Sequence, residues 1–266
     1  MSDPLIVCIP TRGRVDAQVT YAQLPPEWKD RTYFVLDADR PAEWERLHGL
    51  RSAGTLKYRG AAGIGPKRQW ILEAAPSRYI CMLDDDLHFG ARRDGKLVKA
   101  SGEELNAGLT RLEGWLMGAG LVAVGFSPQA GNNHVPEDTA ENTRLVNAYA
   151  FDRDLALATG ARFDRLWGSM EDFDFTLQLL QAGYPNRVDY TITVGQHDPN
   201  AAGGCTEYLT PAVQQDAAWK LAALHPGLVT VKRKTTKGGW HGFTERTDVE
   251  IAWKKAFRTR HQTTLL

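Results

Sequence analysis

Short unbroken apolar runs alternate with amphipathic stretches through the first third of the chain. Pro4 to Ile9 (PLIVCI) is rich in β-branched residues, has no polar interruption and is closed by Pro10, the pattern of a strand buried on both faces. Thr32 to Leu36 (TYFVL) and Tyr79 to Leu83 (YICML) repeat that pattern, and Thr55 to Tyr58 (TLKY) is a shorter version of it. Between them, Trp44, Leu47 and Leu50 stand at helical spacing, and KRQWILEAA after Pro66 predicts a helix ending near Pro76. Strands alternating with helices at these intervals predict βαβ crossovers, hence a parallel sheet with helices on its faces. The second half is less regular. It predicts a helix over Glu103 to Met117, strands over Leu121 to Phe126 and Val146 to Phe151, a helix over Asp172 to Ala182 stopped by Gly183, and a strand over Arg187 to Val194. The polar stretch Gln129 to Arg144 between them is expected to be a loop near the site.

Parallel sheets bind ligands at the carboxyl ends of their strands. By that rule Thr11 to Arg14, Asp37 to Asp39, Arg59 to Lys67 and Asp84 to Asp86 converge on one rim. Asp84, Asp85 and Asp86 follow an apolar strand directly, so three carboxylates repel one another unless a cation sits among them. Mg²⁺ or Mn²⁺ suits such a set, because these ions take few carboxylates plus substrate phosphate oxygens. A solvated acidic turn is the competing reading. Lys67 and Arg68 open a helix after the Gly-rich stretch RGAAGIGP, so their cations and the helix N-terminus are candidates to hold a diphosphate. Here the alternative is a plain turn with an exposed Lys. A second acidic pair, Glu171 and Asp172, stands at a predicted helix start, where N-capping is the bland explanation.

Composition narrows the classes. The 266 residues, 42% of them hydrophobic, suffice for one large α/β core, and 32 basic residues balance 32 acidic ones, so the chain lacks the overall positive field common in dedicated nucleic-acid binders. Cys8, Cys81 and Cys205 are far apart without a CxxC pair, which argues against a disulfide framework or a thiolate zinc site and leaves Cys8 and Cys81 as buried strand residues. No apolar run is long enough for a secretory leader or a membrane span, so a soluble, cytoplasmic protein is expected, without a membrane or an obligate protein partner. The region from about Thr206 is locally basic: Lys232, Arg233, Lys234 and Lys237 interleave with Trp240, the combination of phosphate-binding cations and stacking aromatics found in nucleic-acid grooves. A solvated helix face with Trp253 and Phe257 turned to the core is the competing reading.

The segment GIGPKRQWILEAAPSRYICMLDDDLHF, with IPTRGR before it, resembles the GT-A glycosyltransferases. The resemblance implies a Rossmann-like, mostly parallel sheet with helices on both faces, a catalytic domain over residues 1–205 and a helical, basic extension over 206–266. It implies a nucleotide-sugar donor, commonly a uridine diphosphate sugar, contacted by Thr11, Arg12, Arg14, Lys67 and Arg68. Asp37 or Asp39 would meet the base, Asp84 the ribose, and Asp86 the metal, with Asp85 between them. His197 in VGQHD would complete the metal shell, with Asp198 as fallback, and Asp172 would be the general base assisted by Glu171. IPTRGR, MEDFDF and QHDPNAAGGC are further similar to phage and kinetoplastid enzymes that glycosylate hydroxymethylated DNA bases. That likeness implies DNA carrying a 5-hydroxymethylpyrimidine as acceptor, held by Trp167 and the basic tail, and the cytoplasm of a host cell if the gene is a phage's. Rival readings are a polysaccharide, lipid or protein acceptor, a nucleotidyltransferase, and a non-catalytic nucleic-acid-binding relative.

Overall fold

The computed structural model describes residues 3–196, 203–240 and 243–257. The first apolar run forms β1 (Ile6–Thr11), buried throughout. Two short helices, α1 (Val19–Gln23) and α2 (Pro26–Lys29), lead to β2 (Thr32–Asp37), and α3 (Pro41–Leu47) leads to β3 (Gly54–Tyr58). Next come α4 (Ile64–Ala74) and β4 (Tyr79–Leu83), the latter with the predicted boundaries. The four strands pair in parallel in the order β3-β2-β1-β4, as the alternation of apolar runs and helices predicts.

Beyond β4 the sheet becomes mixed. A hairpin of β5 (His88–Arg93) and β6 (Lys96–Lys99) turns at Asp94 and Gly95, both at positive φ as a tight two-residue hairpin demands. There follow α5 (Gly102–Gly118), started by a Ser101/Glu104 capping box worth about 1 kcal/mol, then β7 (Ala123–Pro128), β8 (Thr139–Glu141) and β9 (Ala148–Asp152). After these, α6 (Arg153–Ala158) and α7 (Glu171–Gln181) precede β10 (Asn186–Gly195). β9 lies antiparallel between β4 and β7, β10 runs parallel to β7, and the full order is β3-β2-β1-β4-β9-β7-β10-β5-β6, with β8 added on β10.

Alternating strand residues feed two cores, one on each face. Val7, Ile9, Cys81 and Leu83 pack with Leu105, Leu109 and Leu112 of α5, whereas Ile6, Cys8, Ile80 and Met82 pack with Ile71, Leu72, Phe175 and Leu179 of α4 and α7. Cys8 and Cys81 are the buried strand residues expected.

The region after residue 205 departs from the expected helical extension. It contains one long helix, α8 (Pro211–Leu224), and then a hairpin of β11 (Val229–Trp240) and β12 (Phe243–Ile251). Composition hid a period of two: Val229 and Val231 face Ile251 and Val249 across the hairpin and pack on a third core, while Lys232 and Lys234 point to solvent. That core joins the second face of α7 (Leu177, Leu180) to Ala217, Ala218 and Leu221 of α8, with Trp253 and Phe257 packed against it. Deeper in the same seam, the buried His225 Nε2 lies 2.7 Å from the buried Asp174 Oδ1, and its Nδ1 lies 2.7 Å from Oε1 of the exposed Gln181.

Candidate active site

The carboxyl ends of β1, β2 and β4 and the N-termini of α4 and α7 surround one cavity of about 420 Å³, within the size of ligand pockets. At its β2 side the buried Asp37 accepts from Arg12 Nη1 at 2.9 Å and from Lys67 Nζ at 2.9 Å. Burial lowers the proton affinity of Lys67, and Asp37 opposes that shift. Arg12 is also held by Glu207 at 2.9 Å, which Arg40 binds from the other side. Thr11 lines the cavity wall beside Arg12. Asp39 stands apart: its side chain is 70% exposed and it is not in the wall.

The acid triplet ends β4 as expected, and its mutual repulsion is relieved by two guanidinium groups. Arg14 Nη1 lies 2.6 Å from Asp86 Oδ2 and 3.3 Å from Asp85 Oδ1; Arg68 Nη2 lies 2.5 Å from Asp84 Oδ1. Gln196, at the end of β10, donates to the other Asp86 oxygen at 2.7 Å. Burial pushes the Asp85 carboxyl up to about 7, helped by Asp86 and Asp84 and opposed by Arg14. Burial also raises Asp84, against the pull of Arg68. Asp85 Oδ2 is buried without a hydrogen-bond partner, so the triplet retains capacity for a hard cation beyond what Arg14 supplies. Among the described residues no group of three His, Cys, Asp or Glu side chains converges as a metal cluster. His197 and Asp198 lie outside the described residues.

Across the cavity, Glu171 and Asp172 form the first turn of α7, entered through Met170 in the left-handed region (φ 61°). Arg68 binds Glu171 as well as Asp84, so one buried guanidinium ties the two acidic clusters together. Arg68, expected to contact phosphate, is thus engaged by two carboxylates in the cavity wall. Asp172 carries no cation of its own. Burial, and then the charge of Glu171, push its carboxyl up to about 8. Glu171 is likewise raised by burial, with Arg68 opposing.

The N-terminus of α4 also differs from expectation. Its amides are taken internally: Ile64 N–H donates to the Tyr208 hydroxyl at 3.0 Å, Gly65 N–H to the Trp167 carbonyl at 3.0 Å, and Pro66 has none. The glycines serve close packing. A Cβ on Gly63 (φ +115°) or Gly65 would come within 2.3 Å of the Trp167 carbonyl or 2.0 Å of the Leu166 carbonyl. Phosphate contacts at this end are therefore left to side chains.

Several wall residues escaped sequence reasoning. Tyr208, Gln214, Arg246 and Asp248 come from the region after residue 205 and carry no local motif; only the packing of α8 and β12 on α7 brings them in. Gln196 was within reach, since it lies two residues after the predicted strand Arg187 to Val194 and one before the flagged His197. The basic tail reads differently in space. Lys232 is paired with Glu250 and Lys234 with Asp248 (2.7 Å), and neither they nor Arg233 line the cavity. The side chains of Lys237 and Trp240 lie outside the described residues. Trp167 stands beside the cavity, 40% exposed, its ring 5.1 Å from that of Tyr208.

The family model described as TET-associated glycosyltransferase matches residues 5–204. Among solved structures the chain is similar to glucosyl-3-phosphoglycerate synthase from Mycobacterium tuberculosis in complex with Mn²⁺, uridine diphosphate and glucosyl-3-phosphoglycerate. Identity is 12% over 94% of this chain and 88% of that one, with a TM-score of 0.56. The same enzyme with Mg²⁺ and uridine diphosphate matches at 12% identity over 87% and 84%, TM-score 0.53. S. aureus TarS 1-349 is 14% identical over 84% of this chain and 66% of its own length, TM-score 0.49. No curated protein matches the chain. The fold is that of the GT-A glycosyltransferases. No helix among the described residues is long and apolar enough to cross a membrane.

Proposed function

The chain belongs to the TET-associated glycosyltransferase family, and on that premise we propose that it moves a sugar from a uridine diphosphate sugar to the hydroxyl of a 5-hydroxymethylpyrimidine in DNA. The observation that carries this reading is one cavity lined by two acid clusters that Arg68 ties together. Asp84 to Asp86 are met by Arg68 and Arg14, whereas Asp172, raised in proton affinity as Asp84 and Asp85 are, has no cation of its own. In this reading Arg12 and Lys67 hold the nucleotide with Thr11 and Asp37, and Asp84 meets the ribose. Asp86 holds a divalent cation, completed by His197. Mn²⁺ or Mg²⁺ bound there would supply positive charge to the departing diphosphate. The related structures solved with these ions and uridine diphosphate make such a donor and ion the natural first choices.

At the other end Asp172 accepts the acceptor hydroxyl proton as its oxygen bonds to the anomeric carbon and the bond from that carbon to the diphosphate breaks, its electron pair leaving with the diphosphate. Glu171 cannot serve equally, because Arg68 already engages it. A carboxylate inside a cavity cannot reach a base held in a duplex stack, so the target base must swing out. Trp167, lying on Tyr208 at the edge, offers a face for stacking it.

The test is a screen with Mn²⁺, a panel of nucleotide sugars, and DNA with and without 5-hydroxymethylpyrimidine, reading nucleoside diphosphate release and DNA mass. A hexose- or pentose-sized gain confined to hydroxymethylated DNA is the expected result. Diphosphate release with unmodified DNA in every arm would discard the DNA acceptor and turn the search to polysaccharide, lipid or protein. The hairpin gives a finer expectation. Arg246→Gln should raise KM for DNA and lower the slope of log KM against log salt by about one, leaving donor hydrolysis unchanged. Lys232→Gln should do neither, since that lysine, paired with Glu250, does not line the cavity as Arg246 does; equal effects of the two would remove Arg246 from the acceptor wall.

A further inference from the structure

Each cation of the cavity wall has a settled partner. Arg12 and Lys67 close on Asp37, Arg68 on Asp84 and Glu171, and Arg246 on Asp248 at 3.3 Å. Arg14 is different, because its partners are Asp85 and the oxygen of Asp86 nearest to it. Gln196 takes the other Asp86 oxygen, so both are engaged by side-chain donors. A divalent ion that binds Asp86 must therefore compete with a guanidinium 2.6 Å away. Two cations that share one carboxylate in a site screened from water repel each other. Asp85 Oδ2 adds the converse point: buried and unpartnered, it leaves the pair short of positive charge with Arg14 alone.

The seat of Arg14 is built for a side chain in this place. Gly203 and Gly204, both at positive φ (+89° and +62°), lie against it. A Cβ at Gly203 would stand 2.8 Å from Arg14 Cγ, and one at Gly204 3.2 Å from Arg14 Cζ. The Gly204 N–H donates to the Arg12 carbonyl at 2.7 Å, fixing this segment on the loop after β1. Arg14 thus lies in the cavity wall against the acid triplet, and its planar fork suits a phosphate as well as a carboxylate.

We propose that Arg14 is an exchangeable counter-ion: it neutralises Asp85 and Asp86, then passes to the donor diphosphate as a divalent cation takes Asp86, so that metal and donor bind as a linked pair. This rests on the reading of the cavity as a nucleotide-sugar site. Arg14 acts here as a positioning residue for the cation and a ligand for the diphosphate. Linkage requires each ligand to tighten the other by the same factor, which for coupled sites is about 5–150-fold.

Mn²⁺ binding to the full chain, followed by electron paramagnetic resonance with and without uridine diphosphate, tests this directly. Wild type should bind Mn²⁺ at least about tenfold tighter with the nucleotide present. In Arg14→Gln, Mn²⁺ alone should bind tighter than in wild type, and the gain from the nucleotide should shrink to less than about threefold. Arg14→Lys, which keeps the charge but loses the fork, should fall between the two. Unchanged or weaker Mn²⁺ binding in Arg14→Gln overturns the proposal, as does a full nucleotide gain in that variant, or no Mn²⁺ binding by any form. Uridine diphosphate release by wild type in the same preparations separates the two ideas. If release occurs while the exchange test fails, only the exchange is wrong; if wild type neither binds nor releases the nucleotide, the nucleotide-sugar reading falls with it.

Discussion

Asp172→Asn is expected to slow sugar transfer by about two to four orders of magnitude while uridine diphosphate affinity stays within about twofold of wild type, because the lost interaction belongs to the transition state. Donor binding lost together with turnover would give Asp172 another task. The pH dependence follows from the same burial. A base must be unprotonated, so wild-type kcat/KM should climb as pH rises through about 8, the value to which burial and Glu171 push this carboxyl. Stability should move the other way. The folded value lies above the ordinary 3.8, so the folded form holds its proton more tightly, and stability falls as pH rises from the ordinary value through about 8. Melting curves of the Asn variant should lack that part of the decline. Parallel curves for the two proteins would show that Asp172 is not so buried in solution.

Asp86→Ala should reduce turnover below about one thousandth of wild type and remove the dependence of nucleotide binding on Mn²⁺. The side chain accepts from Arg14 and Gln196, so its loss also removes the closer of the two carboxylates that Arg14 meets at this triplet. The useful comparison is Asp39→Ala. Asp39 was an equal candidate with Asp37 for the nucleotide base, but its exposed position outside the wall predicts near-normal turnover. Normal turnover in Asp86→Ala would sink the donor-site assignment.

Sequence reading went furthest where one apolar run is one strand. PLIVCI, TYFVL and YICML each lie buried between two cores, and the acids that follow them have nowhere to go but the rim. The glycine-rich stretch before α4 was legible as special, but its cause was not. Only the Leu166 and Trp167 carbonyls, about a hundred residues away in the chain, explain why Gly63 and Gly65 bear no side chain. Asp94-Gly95 was a local hairpin signal that a search for helices and parallel strands passes over. Arg12, Arg14 and Arg68 were visible as cations near the site and Asp37, Asp86 and Glu171 as acids, whereas their pairing, and Glu207, were not. Those partners, Asp37, Asp86, Glu171 and Glu207, lie 25 to 195 residues away. The basic tail was read with charge counted along the chain, which could not show that strand pairing sets Glu250 and Asp248 beside Lys232 and Lys234.

The seam between α7 and α8 has a consequence for how such enzymes can be recombined. One face of α7 is shared with α4 and the sheet, its other face with α8 and the hairpin, and Asp174 is locked to His225 two residues after Asp172. The tail beyond residue 205 is therefore no detachable cartridge. A chimera that borrows it from a relative should work only if α7 travels with it, and lineages that change their target should show paired drift on the two sides of that seam while β1 to β4 stand still.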